Sequence, residues 1–239
     1  MGKAPRPYVV TRHDPVEQID DNLWAVNGDV PGMPTAAGME RRMSIIKLGD
    51  GRLVFHNAIP LDEQALAQVT AWGKPSILIV PMQFHATDAA GFREKLGVKV
   101  FTSKVALDKV RSIVAVDGIL EELPVDPSLK CEPLAGTRLG EAAYVVKSGA
   151  RASLLFCDAI HDSRPGRGFH GFMFRLMGFT GQEPKMPPFY KLRMVSDKKA
   201  LKADLLRLAE TPGLARLVPS HGLIVENDPA GALRRAAER

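Results

Sequence analysis

Cysteine is scarce in this sequence of 239 residues, which contains only Cys131 and Cys157. Two cysteines in no metal-ligand spacing exclude a disulfide-stapled scaffold and a thiolate zinc module. We interpret both as free thiols in the core. Their scarcity favours a reduced, cytoplasmic setting.

Long apolar runs are also absent. The longest, SILIVPM at 76–82, is far shorter than a membrane-spanning helix. The first residues, MGKAPRPYVVTRHDP, lack the apolar core of a secretory signal. The net charge of +5 is a mild basic bias, and no nucleic-acid module with a stacking platform accompanies it. We therefore expect a cytoplasmic protein without a membrane span and without a nucleic-acid partner.

The patterns that are present predict one mixed α/β domain over residues 1–239. Hydrophobic residues make up 45% and charged residues 25%, as in ordinary globular domains. Strand patterns dominate to about residue 60, alternate with helices to about 110, dominate again to 158 and then give way to helices. Asp62 and Asp228 are predicted to cap the helices that follow them. This order suits two sheets that are covered by helices.

Three polar clusters follow apolar strands, and they are the chemically informative part of the sequence. They are QFHATD at 83–88, CDAIHD at 157–162 and SHG at 220–222. Strand ends at one edge of a sheet sandwich converge in space, so we expect these side chains to meet. Imidazoles and carboxylates collected in this way are ligands for a divalent metal.

The order of these clusters resembles the metallo-β-lactamase superfamily over roughly residues 20–235. That family has a Thr-His-x-His-x-Asp-His motif, a strand ending in Asp-x-Gly, a Gly-His loop, a bridging Asp and a late His before Gly. The corresponding segments are MQFHATDAAG at 82–91, RLVFHNA at 52–58, LAGTRLGE at 134–141, LLFCDA at 154–159 and VPSHG at 218–222. The resemblance implies a four-layer αββα sandwich.

Several family ligands are replaced in this sequence. His85, Asp158 and His221 keep both position and ligand type, and Asp88 places a carboxylate where the family has an imidazole. Poor or altered ligands occupy the other positions, which are His56, Gln83, Thr87 and Thr137. A site with two metals is therefore not expected.

The resemblance implies at most one divalent ion, Zn²⁺, Mn²⁺ or Fe²⁺, held by His85, Asp88, Asp158 and His221. Asp158 and His85 would be the catalytic residues. A second group would line the pocket around them: His56, Gln83, Thr87, Thr137 and His161. The alternative for each ligand is structural, with His85 a satisfied strand-end residue, Asp88 a helix cap and Asp158 a turn residue. In that case no metal binds.

Two functions follow from the resemblance. One is a single-metal hydrolase of an ester, thioester or lactone carbonyl. The other is a non-catalytic protein that binds a small molecule in the same pocket and has lost the chemistry. Fold similarity alone does not separate them, because function resides in the site.

A basic and apolar insertion follows the third cluster, at about 164–195. Nine Lys or Arg and only two acidic residues occur between 164 and 202, interleaved with Phe and Met. This composition suits a lid over an apolar or anionic ligand, a homodimer surface or a membrane contact. The alternative is a helix packed on the sheet with a solvated basic face.

Overall fold

Two β-sheets form the centre of the protein in the computed structural model, which describes residues 6–33, 40–161, 168–176 and 184–238. The first sheet has the spatial order β1 (Glu17–Asp20), β2 (Leu23–Asp29), β3 (Glu40–Lys47), β4 (Arg52–His56), β5 (Lys74–Val80), β6 (Lys99–Thr102) and β7 (Gly118–Ile119). The second has the order β11 (Leu214–Pro219), β10 (Arg151–Phe156), β9 (Ala142–Ser148) and β8 (Leu129–Pro133).

Helices follow the strands in the order that the sequence predicts. They are α1 (Glu63–Trp72), α2 (Ala89–Leu96), α3 (Leu107–Arg111), α4 (Gly168–Leu176), α5 (Pro188–Met194), α6 (Lys198–Ala209) and α7 (Pro229–Glu238). Asp62 Oδ1 accepts a hydrogen bond from the Ala65 amide at 2.8 Å, which caps α1. Asp228 Oδ1 accepts one from the Gly231 amide at 3.0 Å. Among the described residues, no helix is both long and apolar enough to cross a membrane.

The side chains of the strands alternate between two hydrophobic layers because successive residues of a strand point to opposite faces. On β5, Leu78 and Val80 pack against the helical side with Val69 of α1 and Phe92 of α2. The intervening Ile77 and Ile79 pack in the layer between the sheets.

A third layer covers the outer face of the second sheet. Ala143 and Val145 of β9 pack there with Leu201 and Leu205 of α6, together with Leu233 of α7. Helix, sheet, sheet and helix thus enclose three apolar layers. The predicted four-layer αββα sandwich is confirmed.

Parallel pairing brings the functional loops to one edge. β4 pairs in parallel with β5, and β10 pairs in parallel with β11. Their carboxyl ends therefore lie side by side within each sheet. The segments that leave these ends are 83–88 after β5, 157–161 after β10 and 220–222 after β11.

Candidate metal centre

Three histidines surround one carboxylate oxygen at this edge. The Nε2 atom of His85 lies 3.3 Å from Asp158 Oδ1. The Nε2 atoms of His161 and His221 each lie 3.4 Å from the same oxygen. The structure therefore brings together His85, Asp158 and His221, and it adds His161 to them.

A hydrogen bond from the ring nitrogen that does not face Asp158 fixes the orientation of His221. Its Nδ1–H donates a hydrogen bond to the Glu40 carbonyl oxygen at 2.7 Å. In the neutral ring this leaves a lone pair on Nε2, the atom that faces Asp158. A backbone carbonyl behind a metal-binding imidazole commonly fixes its tautomer in this way.

The separations from Asp158 Oδ1 match those between two donors that bind the same ion. Two donors bonded to one tetrahedral zinc ion at about 2.0–2.1 Å lie about 3.3–3.4 Å apart. Each imidazole nitrogen of the cluster has this separation from Asp158 Oδ1. Imidazole nitrogen and carboxylate oxygen are also the donor types that such ions take.

Cys157 adds a thiol to the same group. The ligand atoms of His85, Cys157 and Asp158 all lie within 4.8 Å of one another. Cys157 is a free, buried cysteine, whereas Cys131 is only partly buried. The sequence placed both thiols in the core without indicating that one of them adjoins the site.

The cluster keeps Asp158 ionised. Burial raises the pKa of Asp158, but His85 and the contacts with His161 and His221 outweigh burial and hold this pKa well below its ordinary value. Burial lowers the pKa of His161, and the contact with Asp158 opposes that effect only in part. An anionic carboxylate surrounded by imidazoles is suited to receive a cation.

A buried glutamate holds the turn that carries Asp158. Glu141 Oε1 accepts hydrogen bonds from the amides of Cys157, Asp158 and Ala159 at 3.1, 2.9 and 2.8 Å. Its Oε2 accepts a hydrogen bond from the Tyr190 hydroxyl of α5 at 2.5 Å. Burial raises the pKa of Glu141 to about 8, and the nearby Asp158 carboxylate adds to this rise. No local pattern predicts this role, because Glu141 lies 17 residues before Asp158.

A buried arginine holds the turn that carries His221. Arg42 donates to the carbonyl oxygens of Pro219 at 2.6 Å and Gly222 at 2.7 Å. Asn57 donates to Ser220 Oγ at 2.7 Å and ties the same turn to the end of β4. These contacts span more than 160 residues of sequence, so local patterns could not predict them.

His56 lies behind the cluster and is 1% exposed. Burial lowers the pKa of His56 to about 3, and the electrostatic effect of the nearby His85 acts in the same direction. Its ring centroid is 4.8 Å from that of Tyr144. His56 is thus a neutral, buried neighbour of the site.

Asp88 is placed differently from the expectation. Its Oδ2 accepts a hydrogen bond from Arg41 at 2.5 Å, and its Oδ1 lies 3.0 Å from Arg6 Nη1. Two guanidinium groups therefore occupy the two oxygens that an ion would need. Asp88 is the residue before α2, yet its side chain makes no capping hydrogen bond, so the helix-cap alternative does not hold either.

The remaining predicted pocket residues differ in whether they reach the cavity. Thr87 lines the cavity described below, whereas Gln83 lies in the 3₁₀ turn 83–85 and is only partly buried. Thr137 donates its hydroxyl to the Leu134 carbonyl oxygen at 3.0 Å and pairs with Val195. Thr137 is thus engaged with the backbone.

A cavity of about 460 Å³ opens above the cluster. His85, Asp158, His161 and His221 form its polar end, and Arg41 and Thr87 complete the polar lining. The other lining residues are apolar or aromatic: Val30, Pro31, Met33, Phe84, Leu139, Pro187, Tyr190 and Met194. Concave sites with apolar walls and a few convergent polar groups are typical of small-molecule binding.

The insertion at 164–195 contributes to this cavity in part. Pro187, Tyr190 and Met194 line it, so α5 forms one of its walls. On α4, Phe169, Phe172 and Leu176 are 73%, 62% and 71% exposed. Residues 162–167 and 177–183, which include Asp162 and several basic residues of the insertion, lie outside the described residues.

Comparison with known proteins gives a consistent result by structure and none by sequence. No protein-family profile and no curated protein matches the sequence. A metallo-β-lactamase from Pontibacter korlensis is similar with a TM-score of 0.63 at 12% identity, over 95% of this chain and 100% of that one.

Two further solved structures agree. A metallo-β-lactamase from Hirschia baltica has a TM-score of 0.58 at 16% identity, over 94% of this chain and 98% of that one. The DIM-1 metallo-β-lactamase exposed to ceftazidime has a TM-score of 0.64 at 13% identity, over 96% and 98%. At such identities the likeness establishes the fold. The chain has the metallo-β-lactamase fold over nearly its whole length, with His85, Asp158, His161 and His221 gathered at one edge of the two sheets.

Proposed function

We propose that the protein is a hydrolase that uses a single divalent ion to cleave an ester, thioester or lactone. His85, Asp158, His161 and His221 hold the ion, which is Zn²⁺, Mn²⁺ or Fe²⁺. The observation that carries the proposal is the arrangement of three imidazole Nε2 atoms at 3.3–3.4 Å from one oxygen of Asp158, at the end of an apolar cavity.

This ligand set differs from the one that the sequence suggested. His161 takes the place of Asp88, because Asp88 is paired with Arg41 and Arg6. An imidazole from the segment after Asp158 thus compensates for family positions that hold poor ligands here. The set has three nitrogens and one oxygen, which suits zinc better than the carboxylate-rich alternative.

Four protein ligands would fill a tetrahedral shell, so a bound ion would have to take the water as an additional ligand. It would then supply a water of lowered pKa and a Lewis acid for the substrate carbonyl. We assign Asp158 to accept a hydrogen bond from the attacking water and so to orient it. His85 lies beside Asp158 and lines the cavity, so these two residues adjoin the reacting atoms. Glu141 and Arg42 are positioning residues, since they hold the turns of Asp158 and His221 without lining the cavity.

Metal analysis tests the proposal. The protein is purified without chelator and without a nickel-affinity tag, and its metal content is measured by mass spectrometry. We expect a single ion per chain in the wild type, and loss of that ion in His161→Ala and His221→Ala. His13→Ala is the matched control, because His13 interacts with Asp62 at the start of α1 and not with the cluster. Equal metal content in all four proteins would contradict the ligand set.

The second candidate is a non-catalytic protein that binds a small molecule in the same cavity. Its support is that Gln83, Thr87 and Thr137 occupy family ligand positions with poor ligands, and that Thr137 is engaged with the backbone. Turnover of a panel of neutral esters, thioesters and lactones by metal-loaded protein separates the candidates. Binding without turnover of any of them would favour this second function.

The organisation of the protein in the cell is a further part of the proposal. We propose one domain over 1–239, a cytoplasmic location and a homodimer that uses the exposed face of α4. The support for the dimer is the mixture of exposed aromatic and aliphatic residues with Arg175 on that helix.

A further inference from the structure

We propose that the cavity selects substrates whose acyl group is uncharged and apolar, with the scissile carbonyl at the histidine cluster. This inference rests on the function proposed above and names its substrate class. It follows from the distribution of polar and apolar groups around the cavity and from the way its one arginine is engaged.

Four polar lining residues gather around one point of the cavity. His85, His161 and His221 each contact Asp158 Oδ1 at 3.3–3.4 Å. Apart from Arg41 and Thr87, the other lining residues have aliphatic, aromatic or thioether side chains: Val30, Pro31, Met33, Phe84, Leu139, Pro187, Tyr190 and Met194. A substrate with its carbonyl at the polar end must therefore place its remaining atoms against apolar surface.

Arg41 does not make the cavity an anion site. Among the described lining residues it is the sole Lys or Arg. Its Nε donates to the Asp29 carbonyl oxygen at 3.0 Å and its Nη1 to the Ala58 carbonyl oxygen at 2.9 Å. Its Nη2 donates to Asp88 Oδ2 at 2.5 Å, a carboxylate whose other oxygen lies 3.0 Å from Arg6 Nη1. Each nitrogen of Arg41 is thus already engaged with a protein oxygen, and burying a substrate carboxylate against the apolar walls would be costly.

The rim of the cavity is apolar as well. Phe84 is 59% exposed and Met33 is 39% exposed, and both line the cavity. A ligand that covers them removes apolar surface from water, which is favourable in proportion to the area removed. An acyl chain that runs from the histidines to this rim buries more apolar surface with each added methylene, and this burial favours binding.

Chain length is the first test. The kcat/KM of metal-loaded protein is measured for p-nitrophenyl acetate, butyrate, hexanoate and octanoate. Burial of one methylene is worth about 0.8 kcal/mol, so we expect kcat/KM to rise about fourfold per added methylene until the cavity is filled. The p-nitrophenyl monoester of adipic acid matches the hexanoate in length but ends in a carboxylate. We expect it to react at least tenfold more slowly, because the carboxylate must lose its water shell.

A binding assay separates this inference from the proposed function. Methyl n-alkyl ketones carry the same carbonyl and chain but contain no bond that a hydrolase cleaves. Their affinity is measured by displacement of the neutral fluorophore N-phenyl-1-naphthylamine from metal-loaded protein. If affinity rises with chain length while no ester is hydrolysed, the proposed function fails and the preference of the cavity stands. If esters are hydrolysed at rates independent of chain length, the function stands and this inference is overturned.

A matched pair of variants tests whether the apolar wall of the cavity is the surface that binds the alkyl chain. Phe84→Ser and Phe172→Ser remove the same side chain from positions of similar exposure, 59% and 62%, but only Phe84 lines the cavity. We expect Phe84→Ser to weaken ketone binding by about tenfold and Phe172→Ser to leave it unchanged. Equal effects of the two substitutions, or tighter binding of the carboxylate ester than of the hexanoate, would overturn the inference.

Discussion

Asp158 is the residue on which the site depends, since each of the three imidazoles contacts its Oδ1. Its position is set by residues that do not touch the cavity. Glu141 receives three amide hydrogen bonds from the turn around it, and it is 0% exposed. A buried carboxyl group satisfied in this way fixes the backbone from which the Asp158 side chain projects.

Glu141→Ala is expected to destabilise the protein by about 3–5 kcal/mol, because three buried amides and the Tyr190 hydroxyl would lose their acceptor. Urea unfolding followed by circular dichroism measures the change. Glu94→Ala on the exposed side of α2 is the control, and we expect little change there. A destabilisation of Glu141→Ala no larger than that of the control would contradict the role assigned to Glu141.

The proposed ligand set, with His161 in place of Asp88, can also be tested at single residues. Asp88→Asn preserves the shape of the side chain and keeps an acceptor for Arg41. We expect this variant to retain its metal, whereas His161→Ala loses it, as measured by mass spectrometry of folded protein. Metal loss in Asp88→Asn with retention in His161→Ala would restore the ligand set that the sequence suggested.

At the scale of elements, the strand ends position the candidate site, whereas the helix caps stabilise the helices. Parallel pairs β4–β5 and β10–β11 deliver the functional turns to one edge, while Asp62 starts α1 away from the cluster. Stability of a helix and occupancy of the site by a metal can therefore be altered independently.

Asp62→Ala is expected to lower the free energy of unfolding by about 1 kcal/mol through loss of the cap, with metal content unchanged. Chemical denaturation would measure the free energy of unfolding, and metal analysis of the same sample would measure the metal content. A loss of metal in Asp62→Ala would show that the cap and the site are not independent.

The exposed face of α4 allows a test of the predicted homodimer. Phe169, Phe172 and Leu176 follow helical spacing and are all more than 60% exposed. The triple variant with Ser at these positions should keep its fold, because they contribute little to the core. We expect light scattering to show a dimer for the wild type and a monomer for the variant. A wild type that is monomeric at high concentration would refute the prediction.

At the scale of the whole molecule, a buried ion cluster links the two sheets. Asp20 of β1 is 5% exposed and pairs with Arg216 of β11 at 2.5 Å and with Arg151 of β10. Burial raises the pKa of Asp20, but the hydrogen bonds from Arg216, the Asp21 amide and Arg151 outweigh it and lower the pKa well below its ordinary value. A carboxyl group with a depressed folded pKa stabilises the protein above its unfolded pKa of about 4 and loses this contribution as the pH falls further.

Asp20→Asn should therefore reduce stability by about 3 kcal/mol at pH 7, since it leaves Arg216 without its buried anion. The difference from the wild type should shrink below about pH 4, where the carboxyl group of the wild type begins to lose its advantage. Urea titrations at pH 7, 5 and 3 measure the difference in the free energy of unfolding between the two proteins. A difference that is the same at pH 7 and pH 3 would contradict the assignment.

The alternation of strands and helices and the caps at Asp62 and Asp228 could be predicted from the sequence, because they depend on local periodicity and local hydrogen bonds. The four-layer architecture was implied by the resemblance of the motif order to a known superfamily. The sequence also placed His85, Asp158 and His221 at strand ends, because a strand followed by polar residues is a local pattern.

Which distant polar groups meet depends on the packing of the two sheets. Asp88 and His85 are three residues apart, yet Asp88 turns to Arg41, which lies 47 residues away, and His85 turns to Asp158, which lies 73 residues away. Two other contacts are local: His161 Nε2 lies near Asp158 and the Thr137 hydroxyl donates to Leu134, each three residues earlier in the chain. A side chain at a strand end pairs with whichever opposite charge or donor the packed sheets bring near it, and the sheets are brought together by apolar contacts that carry no information about those pairs.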